Sequence, residues 1–153
     1  MKIFITLFFL SLALMPAAQN DTWTYFTPPP GVNSLAARGN TILAGTNGAG
    51  IARFDTSGNR TFVNTANSAL PSDSITQLAI DAEGAWWMQH PGGISRFDGA
   101  NQQTWSLAQT GLPANAAIRA LKAAPDSSLY AATDNGVAIF KNGAWSVLDT
   151  SNS

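Results

Sequence analysis

Few side chains in this sequence could do chemistry, and the single histidine is the first to consider. His90 ends the run Trp86–His90 and precedes a Pro-Gly-Gly turn. An imidazole can bind a metal or transfer a proton near neutral pH. A metal centre built on several imidazoles, however, needs more than one histidine. His90 is therefore the one candidate ligand-binding or proton-transfer residue, and the alternative is a structural histidine that fills a loop.

The carboxylates are spread evenly along the chain and do not select an acid–base pair. Asp55 and Asp98 each follow an Arg-Phe pair, Asp81 and Asp126 occur in short polar turns, and Asp73 precedes a strand. A glycosidase needs two carboxyl groups about 5 to 10 Å apart, and the spacing indicates no such pair. An Asp in a turn instead accepts hydrogen bonds from backbone amides two residues later. We therefore expect structural carboxylates and a protein that is not an enzyme.

Three further motifs have a functional and a structural interpretation. The stretch 45–50, Gly-Thr-Asn-Gly-Ala-Gly, resembles a phosphate-binding loop, but such loops lead into a helix and here a strand follows. Trp86 and Trp87 could stack on a sugar, yet neighbours on a strand face opposite ways, so at least one should pack between sheets. Arg53 and Arg96 are expected to hold loops. The structural interpretation is favoured for all three motifs.

These side chains must be positioned by a repeated element. A Gly-(Ile/Val)-x-x-Phe motif occurs three times, and its phenylalanines are 43 residues apart: Phe54, Phe97 and Phe140. The segments around each motif are four to seven residues long with alternating apolar side chains, and Gly, Pro, Asn, Asp and Ser separate them. This pattern predicts short antiparallel strands joined by tight turns, and no helix.

Four strands in a unit of about 40 residues are typical of a propeller blade. We therefore predict an all-β fold with about three four-stranded antiparallel blades of an incomplete β-propeller. The units are placed at 23–60, 61–103 and 104–144, with the start of a fourth at 145–153. Each unit begins with a strand that carries an aromatic residue, namely Trp23, Phe62, Trp105 and Trp145.

The N-terminus has the parts of a secretory signal peptide. Lys2 is followed by a mostly apolar run of 13 residues and then by Pro16-Ala17-Ala18. A membrane anchor is the alternative, but a spanning helix needs about 20 apolar residues. We predict a signal peptide at 1–18, a mature partial propeller at 19–153, and export to the periplasm, cell surface or medium of a bacterium.

Composition excludes some classes of partner and cofactor. The chain has eight Lys and Arg against nine Asp and Glu, with no run of either sign. It therefore has no cluster of basic residues that would bind nucleic acid. With no cysteine in the chain, disulfides and thiolate metal sites are excluded. We expect no cofactor and no metal.

The motifs together resemble the two-component-regulator propeller repeat. The matching residues are the turns Leu70-Pro71 and Leu112-Pro113, Asp81 with Gly84, and 96–99, Arg-Phe-Asp-Gly. The chain departs from the repeat at His90, where the repeat prefers threonine. The resemblance implies the extracytoplasmic sensing part of a bacterial hybrid histidine kinase, or a secreted or surface protein with several blades.

Because a propeller usually needs four to eight blades to close, we interpret the sequence as an N-terminal fragment of a longer protein. Closure by self-association is the alternative. The expected function is a module that binds or senses a small molecule or a glycan. A scaffold that docks proteins of the cell envelope remains a second hypothesis, and a propeller-type lyase is the third.

Overall fold

The computed structural model describes residues 31–152, and these residues form three sheets and one short 3-10 turn. The predicted signal peptide and the aromatic strand at Trp23 lie outside the described residues. The strands are β1 Val32–Arg38, β2 Thr41–Thr46, β3 Ile51–Asp55, β4 Arg60–Val63, β5 Gln77–Ile80, β6 Trp86–His90, β7 Gly93–Phe97, β8 Gln102–Trp105, β9 Ile118–Ala123, β10 Leu129–Thr133, β11 Gly136–Lys141 and β12 Ala144–Leu148. The 3-10 turn is Ala108–Thr110.

Each sheet contains four consecutive antiparallel strands in chain order. The first sheet is β1-β2-β3-β4, the second is β5-β6-β7-β8 and the third is β9-β10-β11-β12. The first strands of the sheets lie side by side, because β5 packs against both β1 and β9. This arrangement confirms the predicted all-β fold with three four-stranded antiparallel sheets.

The alternation of apolar residues places one core on each side of the second sheet. In β6, Met88 packs with Leu43 and Ile51 of the first sheet, whereas its neighbour Trp87 packs with Leu129 and Ala131 of the third sheet. Successive residues of a strand point to opposite faces, so one strand contributes to both cores. The second sheet is therefore buried on both sides, as a middle sheet in a stack must be.

The repeated glycine has a steric cause. Gly93 and Gly136 begin the third strand of their sheets, and Gly50 directly precedes that of the first sheet. Their φ angles are +128°, +124° and +75° respectively. A Cβ at any of them would overlap a carbonyl oxygen at the end of the fourth strand, that of Val63, Trp105 or Leu148. The two backbones therefore approach so closely that only glycine fits, which accounts for its recurrence at the 43-residue period.

The aromatic residues of the fourth strands are not equivalent, although the sequence aligned them. Trp105 pairs with Ile94, and the residue that occupies the same place in the third sheet is Leu148, opposite Val137. Trp145 lies three residues before Leu148. An odd displacement along a strand turns a side chain to the other face. Trp105 and Trp145 therefore point toward each other from neighbouring sheets.

The sheets also differ in phase from the repeat units drawn from the sequence. The sheets span 32–63, 77–105 and 118–148, and each ends with its aromatic strand. The units 61–103 and 104–144 begin with that strand, and the segment 145–153 overlaps β12. A period gives the spacing of a repeat but not its starting point. The starting point is decided by which strands share hydrogen bonds.

Candidate functional site

Two clefts open at one end of the sheets, which we call the hairpin end. At this end the first strand of each sheet turns into the second, and the third into the fourth. The turns lie at 39–40, 56–59, 81–85, 98–101, 124–128 and 142–143. At the opposite end are the turns between second and third strands and the longer connections between sheets. Short hairpins hold their side chains in place, so the hairpin end is suited to present a preorganised surface.

Asp81 organises the hairpin end of the second sheet. Its carboxylate is 1% exposed and accepts three hydrogen bonds. Oδ1 accepts from the amide of Ala85 at 2.8 Å, and Oδ2 accepts from Trp87 Nε1 at 3.0 Å and from Arg96 Nε at 3.1 Å. The buried charge is thereby paired and hydrogen-bonded, as burial requires. The prediction that Arg96 holds a loop is confirmed.

The larger cleft, about 300 Å³, lies between the second and third sheets. Polar residues form its rim and Phe140 contributes an aromatic side chain. Asp126 on the rim lies 3.0 Å from Lys141 Nζ. The hydrogen bond from Lys141, together with that from the Ser128 amide, lowers the pKa of Asp126 to about 2. The carboxylate is therefore charged at ordinary pH.

A second cleft, about 230 Å³, lies at the equivalent place between the first and second sheets. Arg38, Thr41 and Arg53 of the first sheet face Trp86 and Asp98 of the second. Arg38 Nη2 donates to the carbonyl oxygen of Ala82 at 2.9 Å, which ties the two sheets together across the cleft. The smaller cleft is thus lined by two guanidinium groups and one carboxylate.

Arg53 differs from Arg96 in its contacts. Within residues 31–152 its guanidinium makes no hydrogen bond or ion pair, whereas the equivalent Arg96 binds Asp81. In the first sheet the place of Asp81 is occupied by Arg38, at the end of β1. Arg53 therefore has no buried carboxylate to bind there, although its charge is one of the causes that lower the pKa of Asp55. That Arg53 holds a loop stays a prediction.

His90 lies at the opposite end and is built into a turn. The ring is 3% exposed; Nδ1 accepts the amide of Gly92 at 3.1 Å, and Nε2 lies 2.8 Å from Ser95 Oγ. Ser95 Oγ in turn lies 2.7 Å from Thr104 Oγ1. Since Nδ1 accepts, Nε2 carries the proton and donates to Ser95. Both nitrogens of the His90 ring are therefore hydrogen-bonded.

The equivalent threonines show what His90 replaces. In the first sheet Thr46 Oγ1 accepts the amide of Ala49 at 3.0 Å, and in the third Thr133 Oγ1 accepts the amide of Asn135 at 3.0 Å. His90 Nδ1 accepts a turn amide in the same way. The structure thus places the one predicted candidate residue in a turn, with its ring buried and away from both clefts.

The buried ring gives a pH-dependent prediction. Desolvation lowers the pKa of His90 below 6.5, so the unfolded chain takes up its proton first as pH falls. Stability from the neutral ring is therefore full above about pH 6.5 and is lost as pH falls from 6.5 toward the folded-state pKa. We expect His90→Thr, which keeps an acceptor for Gly92, to remove this loss. Urea unfolding between pH 5 and 8 measures it.

The comparison is direct because His90 is the only histidine of the chain. We expect the unchanged protein to be less stable at pH 5 than at pH 8, and the variant to have a flatter profile over that interval. An identical fall in both proteins would show that another group causes the dependence.

The other carboxylates confirm their predicted roles in turns. The amides of Ser57 and Asn59 donate to Asp55 Oδ1, each at 2.9 Å. The hydrogen bond from the Asn59 side chain is the largest of the causes that lower the pKa of Asp55. Asp98 accepts a hydrogen bond from the amide of Asn101 at 2.7 Å. This hydrogen bond is the largest of the causes that lower the pKa of Asp98. These carboxylates are engaged by their own turns.

The glycine-rich stretch 45–50 is a hairpin between β2 and β3, as its structural interpretation predicted. Its amides are already used, because Gly48 N and Gly50 N both donate to the carbonyl oxygen of Asp73, at 2.9 and 2.8 Å. The carboxylate of Asp73 accepts the amide of Thr65 at 2.7 Å. The loop therefore docks the connection between the first two sheets and does not form a phosphate cradle.

Trp87 confirms the prediction that one tryptophan of the pair packs between sheets. It is 0% exposed, and its ring stacks on Trp105 with centroids 5.6 Å apart. From the third sheet, Phe140 and Trp145 lie 5.0 and 6.3 Å away. Trp86 points to the other face. The aromatic cluster is the side wall against which the larger cleft is built.

Among residues 31–152, no group of three or more His, Asp or Glu side chains is arranged to hold a metal ion. The same residues contain no helix long and apolar enough to cross a membrane.

Solved structures share this arrangement of sheets. The extracellular domain of a hybrid two-component system from B. thetaiotaomicron superposes with a TM-score of 0.54 and 16% identity over 86% of this chain and 24% of that one. A second such domain from the same organism gives 0.60 and 19% over 76% and 17%. Virginiamycin B lyase from Staphylococcus aureus gives 0.58 and 15% over 78% and 41%.

The three sheets are propeller blades. At these identities the likeness concerns the fold alone. The chain spans about a quarter or less of the length of the two sensor domains. It matches no family model and no curated protein sequence. The blades therefore have a known architecture.

Proposed function

We propose that this chain is part of an exported propeller of the two-component-regulator type that binds a small molecule or a glycan and has no enzymatic activity. The observation that carries the proposal is the pair of clefts at the hairpin end, which occur at equivalent places between successive blades. The signal-peptide pattern of residues 1–18 supports export. The similarity to extracellular domains of two-component systems supports a sensing role.

The clefts have the features of binding sites in propeller-like scaffolds. Each combines an aromatic side chain with polar groups on rigid hairpins, which is how small-molecule sites fix a ligand. In the larger cleft the buried Asp81 holds Arg96 in place, and Gln103 and Asn142 add donors and acceptors to the rim. A neutral polar ligand such as a sugar suits this lining.

The outer faces of the stack support a longer protein. Leu35 and Ile42 on the first blade are 69% and 45% exposed, and Tyr130 and Leu148 on the third are 38% and 49% exposed. Equivalent positions in the middle blade are buried or partly buried against its neighbours. We infer that further blades of the same type cover both faces. Closure by self-association would cover the same faces, and docking of an envelope protein is the scaffold alternative.

A ligand screen tests the proposed function. The full chain is titrated with neutral and acidic sugars while its thermal unfolding is followed, and a ligand that binds folded protein raises the midpoint. Glu83→Gln alters the rim of the larger cleft and is expected to weaken the ligands bound there. Asp134→Asn is the matched control, because it lies at the opposite end and its retained Oδ1 can still accept the Ala117 amide.

The result of the screen distinguishes a binding module from a scaffold. A sugar whose effect is saturable and sensitive to a cleft variant supports the binding module. If no sugar shifts the midpoint and the chain instead captures an envelope protein through its exposed faces, the scaffold replaces the proposal.

A further inference from the structure

The two clefts are built from equivalent positions but have opposite charge. Arg53 and Arg96 both precede the repeated phenylalanine of the third strand. Arg38 and Asp81 are equivalent as well, because of the strand register. The repeated Phe54 lies opposite Ile42, which lies opposite Ala37, and Arg38 follows. In the second sheet Phe97 lies opposite Trp86, which lies opposite Ile80, and Asp81 follows. At these two positions, therefore, the second blade has an arginine and an aspartate, whereas the first blade has two arginines.

Because Arg38 stands where the second blade has Asp81, the cleft between the first and second blades is positively charged. In the larger cleft the lining has three carboxylates, Asp81, Glu83 and Asp126, against the guanidinium of Arg96. In the smaller cleft the lining has two guanidinium groups against the carboxylate of Asp98. That carboxylate already accepts the amides of its own turn at 3.0 and 2.7 Å. Within residues 31–152 neither arginine forms an ion pair. The charge of Arg53 acts on Asp55, but that carboxylate also accepts the amides of its own turn.

The arginines are placed to receive an anion. Arg38 is oriented by its bond to the carbonyl oxygen of Ala82, which uses one of its five N–H donors. Arg53 makes no hydrogen bond in the described part of the chain. Two like charges in one cleft repel each other, and a bound carboxylate relieves the repulsion while accepting a fork of hydrogen bonds.

We propose that the cleft between the first and second blades binds a carboxylate-bearing ligand, a sugar acid, through Arg38 and Arg53. Trp86 lines the same cleft and offers a ring on which a pyranose can pack. Thr41 supplies a hydroxyl for the polar edge of the ligand. The proposal rests on the proposed binding function and names the ligand class of one of its two clefts.

The test titrates the full chain with glucuronate, glucose and inorganic phosphate, and follows the indole N–H signals of its tryptophans by NMR. Glucuronate is expected to shift one indole signal saturably, Trp86→Phe to remove that signal, and glucose to leave that signal unshifted. Arg53→Gln is expected to weaken glucuronate binding about tenfold or more. Arg38→Asp, which copies the other cleft, is expected to abolish it.

Arg119→Gln is the charge-matched control, because Arg119 is exposed on β9 outside both clefts. It is expected to bind glucuronate as the unchanged chain does. Thermal unfolding of Arg53→Gln should be unaltered, since the Arg53 side chain makes no hydrogen bond to the described residues 31–152 that the variant would break.

Three outcomes would overturn the sugar-acid site: glucuronate binding that survives both arginine changes, glucose binding of equal strength, or phosphate binding tighter than glucuronate. A neutral sugar that binds the larger cleft, together with no response to glucuronate, overturns this site alone and leaves the proposed function standing. No response to any sugar overturns both.

Discussion

Replacing Gly93 by alanine is expected to lower the free energy of unfolding by about 3 kcal/mol or more. Two causes act together at this residue. Its φ of +128° is strained for any side chain, and a Cβ would overlap the backbone carbonyl of Trp105. The fourth strand would have to move away from the third, which weakens the pairing of β7 with β8. Urea unfolding followed by tryptophan fluorescence measures the loss.

Gly84→Ala separates the two causes. Gly84 also has a positive φ, +86°, but a Cβ there would meet nothing within 4 Å. We expect this variant to lose only about 1 to 2 kcal/mol, the cost of a left-handed conformation. Equal losses in the two variants would mean that conformational strain, and not the close approach of the strands, explains the repeated glycine.

Replacing Trp87 by alanine is expected to lower the free energy of unfolding by about 3 to 5 kcal/mol, the usual cost of removing a large buried aromatic side chain. The ring contacts Trp105 of its own blade and Phe140 and Trp145 of the next. Its removal also takes a donor from the buried carboxylate of Asp81. The second and third blades should then unfold separately, seen as a broadened transition in calorimetry.

Trp87→Phe tests the aromatic packing apart from the hydrogen bond. It keeps a ring between the blades and loses the indole N–H, while Asp81 retains Arg96 and the Ala85 amide. We expect a loss of about 1 to 2 kcal/mol and a single sharp transition. A loss as large as that of Trp87→Ala would assign the stability to the hydrogen bond to Asp81 and contradict the packing argument.

The sequence predicted the strands and the turns because both depend on local rules. Alternating apolar residues indicated the strands, and the 43-residue spacing of Phe54, Phe97 and Phe140 indicated that one unit recurs. Asp55 and Asp98 were recognisable as turn residues, since the amides they bind lie two to four residues away. Contacts of this range are visible in a sequence.

The sequence by itself thus determined the blade fold and the number of described blades, whereas the tertiary structure decided the site. The facing of Trp105 and Trp145 depends on a three-residue difference in strand register. The contrast between the clefts depends on which residue, Asp81 or Arg38, stands where the first strand of the sheet enters its hairpin. Register is set by the hydrogen bonds between paired strands, and the clefts lie between sheets, so only the folded structure shows which side chains meet.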